Sequence, residues 1–388
     1  MTVRILERIV ASLVLCLLTG GLACAGGDRT QGLAGCEAVS SLANGGADAR
    51  LARGFNLPNW DPDYTGYKPD DSLLIQLHQL GFSHIRLPVQ AERVMARFSS
   101  AEQIAAYLQA MDSDVQRLVG LGYAVSVDLH PSEPFQSIHQ SDPETGAALL
   151  REAWDRIAAI ASQTRWPLTD VYFELLNEPV PDQALWWSQA QSLVTHLNET
   201  AKGRKLVVGP AVFQRVEVLA AAQPLAGEGL IYAIHYYDPM VFSHQGMTWM
   251  PGSPLAIIGH MPFPGDATSA AVIEQAEKLK AAGMEDAADG LLQSYRQGWN
   301  ADRIATSLAS VGDWSRRNNL PVIINEFGAL TFDVDAHDRA NWLRAVRAGA
   351  EANCLGWAHW DFSDGFAMVD SHTTLPDPLV LDALLPGR

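Results

Sequence analysis

Residues 171–179 read VYFELLNEP, an apolar run rich in β-branched and aromatic residues that closes on two polar side chains and a proline. The run is short and almost continuously apolar, and a helical pattern over Ala184–Ala201 follows it, as expected for a strand buried on both faces. The same texture recurs at Ala52–Asn56, His84–Pro88, Ala124–His130, Lys205–Gly209, Leu230–Tyr236, Pro321–Glu326 and Leu355–Phe362. Helical spacing predicts Ser72–Leu80, Ala101–Leu121, Ala147–Ser162, Asp302–Asn318 and Ala336–Asn353 between them. Eight strand–helix units in roughly 310 residues predict an α/β chain folded as a (β/α)8 TIM barrel, with a long insertion after strand six. A doubly wound open sheet is the alternative. It usually binds phosphate on a Gly-rich first turn, and the chain has neither GxGxxG nor GxxxxGK[ST].

Composition narrows the class. The chain has 388 residues, of which 48% are hydrophobic and 18% charged. That is too apolar for a disordered chain and long enough to bury a sizeable core. Lys and Arg number 27 against 44 Asp and Glu, a formal net charge of −17. Binding nucleic acid or anionic lipid calls for a basic face, so both are excluded as expected partners. An acidic protein acting on a neutral ligand remains.

Residues 1–25 read as a signal peptide. Arg4 and Arg8 give a positive start, Ile9–Leu18 is apolar, and Ala23-Cys24-Ala25 has the small-x-small form of a cleavage site. The apolar run is too short for a stable membrane span. A secreted protein, periplasmic or extracellular, is therefore expected over one held by an N-terminal anchor helix. Lipid anchoring at Cys24 is a minor alternative, because Gly21 stands where such signals usually carry Leu. Residues 26–50 are rich in Gly, Ala and Ser and read as a leader or linker. Residues 51–388 then form the barrel domain. With Cys16 and Cys24 in the signal, Cys36 and Cys354 remain, and the sequence leaves open whether they pair. No CxxC occurs, which excludes a zinc ribbon or thioredoxin motif.

In such a barrel, chemistry collects at the C-terminal ends of the strands. The sequence sets Arg86 (HIRLP), His130 (VDLHP), Asn177 and Glu178 (FELLNEP), His235 and Tyr237 (AIHYYDP), Glu326 (IINEFG) and Trp360 (WAHWDF) there. Polar groups ending apolar strands are costly unless paired or working. Glu178 and Glu326 end strands four and seven and are expected to project into one cleft. Two carboxyls about 5–5.5 Å apart suit a retaining glycosidase, one acting as nucleophile and the other as acid, then base. Like charges that close separate their pKa values, which keeps one of them protonated.

Over roughly residues 52–365 the chain resembles the cellulase family, glycoside hydrolase family 5. The resemblance rests on an ordered set: Arg53-Gly54-Phe55-Asn56 at the first strand, Asn177-Glu178-Pro179 at the fourth, His235-x-Tyr237 at the sixth, Glu326-Phe327-Gly328 at the seventh and Trp360 at the eighth. It implies Glu178 as general acid/base and Glu326 as nucleophile. It also implies that Asn177 holds the sugar 2-OH, that Arg86 sits beside Glu326 and that Tyr237 hydrogen-bonds Glu326. His130 and His235 would line the subsite at the scissile sugar, and Trp360 would be its platform, since an indole covers the apolar C–H face of a sugar at little entropic cost.

Glu174, four residues before Glu178, is expected to be a paired carboxylate inside the barrel, and Asp128 likewise. Asp361, Asp364 and Asp370 lack metal-ligand spacing, so no metal site is assigned. No GxSxG elbow occurs, against a serine esterase. The insertion runs from Asp238 to about Asn300, longer than an ordinary βα loop. Its second half, Ala270–Tyr295, reads as an exposed helix pair, and the whole is expected to wall the cleft or cap its plus side. Trp249, Trp186 and Trp187 are candidates for further sugar subsites, with local packing as the alternative.

The function expected is therefore a secreted retaining hydrolase of a β-glycan, β-1,4-glucan favoured, acting as a monomer on a polysaccharide or oligosaccharide without a cofactor. The alternatives are exo action, an exopolysaccharide, β-1,3-glucan or mannan substrate, transglycosylation, and a non-catalytic glycan-binding barrel.

Overall fold

A computed structural model describes residues 49–250 and 252–387. The expected signal peptide lies outside the described residues, as does nearly all of the expected leader. Eight parallel strands close into a barrel in sequence order. They are β1 (Arg53–Asn56), β2 (His84–Gln90), β3 (Ala124–His130), β4 (Val171–Glu174), β5 (Leu206–Val208), β6 (Leu230–Tyr236), β7 (Val322–Phe327) and β8 (Gly356–His359). Three sequence-based boundaries move. Arg86 lies inside β2 rather than after it, β4 stops at Glu174 so that Asn177 and Glu178 belong to the following loop, and β8 stops one residue before Trp360.

Helices cover the outer face. Asp71–Leu80 and Ala101–Gly120 follow β1 and β2, and the second is closed by a full capping box between Ser100 and Gln103. Pro143–Gln163, Gln183–Thr200, Ala301–Asn318 and Ala336–Ala352 continue the ring. The apolar stripe of Gln183–Thr200 is Trp186, Ala190, Leu193, Val194 and Leu197, all buried, at the spacing a helix face demands. The outward side chains of the strands and the inward stripes of the helices form one continuous core.

Inside the barrel, side chains stack in layers as the two-residue alternation of strands requires. The lowest layer is apolar: Leu51, Ala124, Tyr172, Val207, Ile231 and Ile323. Above it the His84 ring and the Ser126 hydroxyl stand 2.6 Å apart. The next layer is ionic, with Asp128 and Glu174 paired in register across β3 and β4.

One irregularity decides where the top layer points. Against β6 the register of β7 passes from Ile234↔Ile324 to His235↔Glu326, and against β8 from Ile324↔Trp357 to Phe327↔His359. Strand β7 therefore carries one residue more than either neighbour, a bulge that breaks the alternation. Asn325 and Glu326 consequently both reach groups of the barrel interior. The Asn56 amide fills the gap, donating to the carbonyls of Asn325 at 2.9 Å and His359 at 3.2 Å.

The insertion after β6 contains helices Met240–Ser243, Pro254–Ile257, Ala270–Ala281 and Glu285–Tyr295. The last two were expected as an exposed pair. Instead Val272, Ala276, Leu279, Ala288, Leu291 and Tyr295 bury one face in the main core. The insertion docks on the loop after β7: the His260 N–H donates to Asp333 O at 2.6 Å, and the Leu330 N–H donates to Ser243 O at 2.9 Å. Cys354 is disulfide-bonded, and Cys36 lies outside the described residues. No described helix is long and apolar enough to cross a membrane.

Candidate active site

The site is organised by one buried guanidinium. Arg86 Nε and Nη2 each donate to an oxygen of Glu174 at 2.7 Å, a bidentate fork that fixes the plane of the group. Its remaining hydrogens reach Asn177 Oδ1 at 2.9 Å, Asn56 Oδ1 at 3.0 Å and Glu326 Oε1 at 2.5 Å, and Nη2 also forms an ion pair with Asp128 Oδ2 at 2.9 Å. Glu174 and Asp128, expected as paired carboxylates, are thus the ion partners that make a buried Arg86 tolerable. Asn325 adds a donor to Glu174 Oε1 at 2.6 Å. Burial pushes the Asp128 carboxyl up to about 7 against the pull of Arg86, and raises Glu174 for the same reason.

Glu326 receives two donors. Arg86 holds Oε1, and the Tyr237 hydroxyl donates to Oε2 at 2.9 Å. Burial and the neighbouring Glu326 hold the Tyr237 phenol well above its usual range, so it stays a donor. Glu178 sits opposite, its Oε1 at 2.9 Å from His235 Nδ1, and that nitrogen lies 3.5 Å from Glu326 Oε2. His235 is buried and pushed down to about 4, chiefly by desolvation, so the imidazole is neutral at ordinary pH. Desolvation raises the Glu178 carboxyl, against the opposing charges of His130 and Arg86. One oxygen of Glu178, one of Glu326 and a ring nitrogen of His235 all lie within 4.8 Å of one another.

On the other flank His130 Nδ1 meets Asp128 Oδ2 at 2.9 Å, and its Nε2 faces the Asn177 amide at 3.4 Å. The His130 ring stacks on the Trp360 indole, centroids 5.6 Å apart and planes inclined by 15°. The structure therefore brings together Arg86, His130, Asn177, Glu178, His235, Tyr237, Glu326 and Trp360.

Of the three tryptophans proposed for outer subsites, Trp186 is fully buried and its indole N–H donates to Gly209 O at 2.8 Å. Trp187 turns away, donating to Gln223 O at 2.7 Å and packing on Tyr232. These two are packing residues. Trp249 is different: it is 52% exposed and forms the outer end of an aromatic cluster with His244 and Phe366, which in turn meet Tyr237.

The sequence reading assigned no part to Asn325 or Gln214. Asn325 directly precedes Glu326, and strict alternation turns such a neighbour outward, so only the bulge reveals it. Gln214 follows β5, where Val212, Phe213 and Gln214 all have left-handed backbone, with φ of 58°, 59° and 52°. A left-handed turn of non-glycine residues costs about 1–2 kcal/mol per residue.

A family model described as Cellulase (glycosyl hydrolase family 5) matches residues 43–363. Endoglucanase 3 of Fibrobacter succinogenes is 25% identical over 340 residues, covering 83% of this chain and 51% of that protein. The chain thus spans about half the length of that relative. Cellodextrinase A of Ruminococcus flavefaciens is 26% identical over 239 residues, covering 58% of this chain and 69% of that protein. Among solved structures, an endoglucanase superposes with a TM-score of 0.71 at 19% identity, covering 90% of this chain and all (100%) of that one. The cellulose synthase subunit Z (CcsZ) of Clostridioides difficile superposes with a TM-score of 0.68 at 22% identity, over 86% of this chain and 99% of that one. These likenesses show the same barrel fold. With the family's pattern running through β1 to β8 and into the loop beyond, this chain belongs to glycosyl hydrolase family 5, the cellulase family.

Proposed function

We propose that this chain is an exported, retaining β-glycosidase that hydrolyses a β-glycan, with β-1,4-glucan as the first substrate to test. The observation that carries the reading is the approach of Glu178 and Glu326 to within 4.8 Å. Retaining enzymes set the two carboxyls about 5–5.5 Å apart, whereas inverting enzymes leave about 6.5–9.5 Å for a water. The names of the two endoglucanase and cellodextrinase relatives support β-1,4-glucan, and the sequence of residues 1–25 supports export.

In this mechanism Glu326 attacks the anomeric carbon while Glu178 protonates the departing oxygen, giving a glycosyl–enzyme ester. Glu178, now a carboxylate, takes a proton from water as that water attacks the same carbon, and Glu326 leaves. Arg86 and Tyr237 hold the Glu326 oxygens in line, and neutral His235 donates to Glu178 without adding charge. Asn177, oriented by Arg86, faces the 2-OH, a contact that strengthens in the transition state. His130 and Trp360 form the wall against which the reacting sugar lies.

The test is a panel of soluble β-glucan, carboxymethyl-cellulose, laminarin, mannan and xyloglucan, read by reducing ends and product size, with the product anomer followed by proton NMR. The reading expects hydrolysis of one glycan with retention, lost in Glu326→Gln. Net inversion, or undiminished turnover in that variant, defeats it. N-terminal sequencing of the mature protein tests export.

A further inference from the structure

Gln214 is fully buried and its Oε1 accepts the backbone N–H of Glu178 at 2.9 Å. Glu178 itself has a φ of 44°, a conformation that a glutamate holds only when its surroundings over-determine it. The Gln214 side chain lies so close to Gly209 that a Cβ there would stand 2.2 Å from Nε2 and 2.5 Å from Cδ. The turn is pinned on each side. The Ala211 N–H donates to Gln183 Oε1 at 2.7 Å, Gly209 O accepts from Trp186, and Arg215 reaches Asp238 Oδ2 at 3.3 Å. Three consecutive left-handed residues, none of them glycine, are thus held in place to deliver one side-chain oxygen to one backbone hydrogen.

We propose that Gln214 is a positioning residue for Glu178, acting through the peptide that joins it to Asn177. That peptide sets the direction in which the Glu178 side chain leaves the backbone. Its carboxyl must meet His235 Nδ1 on one side and stand over the scissile oxygen on the other. A small rotation of the peptide moves the carboxyl along the whole lever of the side chain, and misplacement of about 1 Å can lower a rate about 100-fold. Without Gln214 the Glu178 N–H would have no acceptor to hold the strained conformation. The inference rests on the reading of Glu178 as acid/base.

The test compares wild type with Gln214→Leu and Gly209→Ala, the second displacing Gln214 without altering it, on soluble β-glucan and on a dinitrophenyl β-cellobioside. The dinitrophenolate leaves without a proton, so kcat/KM on that substrate does not depend on a placed acid. Both variants are expected to lose about 10- to 100-fold in kcat/KM on the glucan. On the aryl glycoside they should stay within about threefold, the general-acid share being absent there. Equal loss on both substrates, or no loss on the glucan in folded protein, overturns the proposal. Glu178→Ala run in parallel keeps the two readings apart. If it loses equally on both substrates, the acid/base assignment fails, whereas selective loss there with unselective loss in the Gln214 variant rejects only Gln214. Should both variants fail to fold, hydrogen exchange at the Glu178 amide of wild type decides: slow exchange like that of the barrel strands is expected, and rapid exchange removes the contact on which the inference stands.

Discussion

Arg86 Nη1 lies 2.5 Å from Glu326 Oε1, a contact between β2 and β7 made across the barrel interior. The same guanidinium holds Glu174 and Asp128. Replacing it with Met would leave three carboxylates beside one another without a counter-charge. Arg86→Met should lose about 3–5 kcal/mol of stability in urea denaturation, as expected when one partner of a buried ion pair is removed. A midpoint unchanged from wild type would show that the cluster is not held by this charge.

In the proposed mechanism Glu178 carries its proton in the first step, and burial raises its carboxyl above the ordinary value of 4.5. The kcat/KM for soluble glucan should therefore fall as pH rises through that raised value, placing the alkaline limb higher than a solvated glutamate would. In Glu178→Gln, the activity on soluble glucan should fall about 10²–10⁴-fold and what remains should lack this limb. Persistence of the limb would assign it to another group.

His244 packs against Tyr237, Phe366 and Trp249, and desolvation pushes it down to about 4 from 6.5. Between those values the unfolded chain binds a proton that the folded one refuses. The contribution of His244 to stability is therefore full above pH 6.5 and declines as pH falls toward 4. His244→Phe removes this dependence, so the variant should gain on wild type as the solution is acidified over that interval. Parallel denaturation curves at each pH would show it, and a constant difference would contradict it.

Trp249→Ala and Trp186→Ala should part company. Taking a sugar stacked on the exposed indole to be worth what an aromatic pair is, about 0.5–1.5 kcal/mol, Trp249→Ala should raise KM for long glucan roughly 2- to 12-fold and leave the melting temperature nearly unchanged. Trp186→Ala should lose about 3–5 kcal/mol of stability as a core cavity and leave KM alone. Calorimetry beside steady-state kinetics separates the two, and a destabilised Trp249→Ala would place that ring in the packing instead.

The barrel was legible because each strand is an apolar run and every run except Lys205–Gly209 carries, at or near its end, polar residues whose burial needs an explanation. The chain also carried the warning about Trp186, since Ala190, Leu193, Val194 and Leu197 follow it at helical spacing and mark a buried stripe. The bulge in β7 was not legible. Ile-Ile-Asn-Glu-Phe reads equally well with Asn325 outside, and only pairing with β6 and β8 shows the extra residue. Gln214 was invisible for a different reason: its backbone angles and its reach to Glu178 come from packing around Gly209, which no local pattern records. The helices Ala270–Ala281 and Glu285–Tyr295 were found as elements, but their buried face was missed because what they cover lies elsewhere in the chain.

Glu178 follows β4 and Glu326 lies in β7, strands that are not neighbours in the closed order. The gap between them is therefore set across the barrel and bridged by His235 of β6, whose Nδ1 lies 2.9 Å from Glu178 and 3.5 Å from Glu326, while the Asp238–Asn300 insertion supplies neither carboxyl. The length and surface of that insertion can therefore change without moving the strands that carry the two carboxyls. On the proposed retaining mechanism, every such change would still release the sugar with the handedness it had in the polymer.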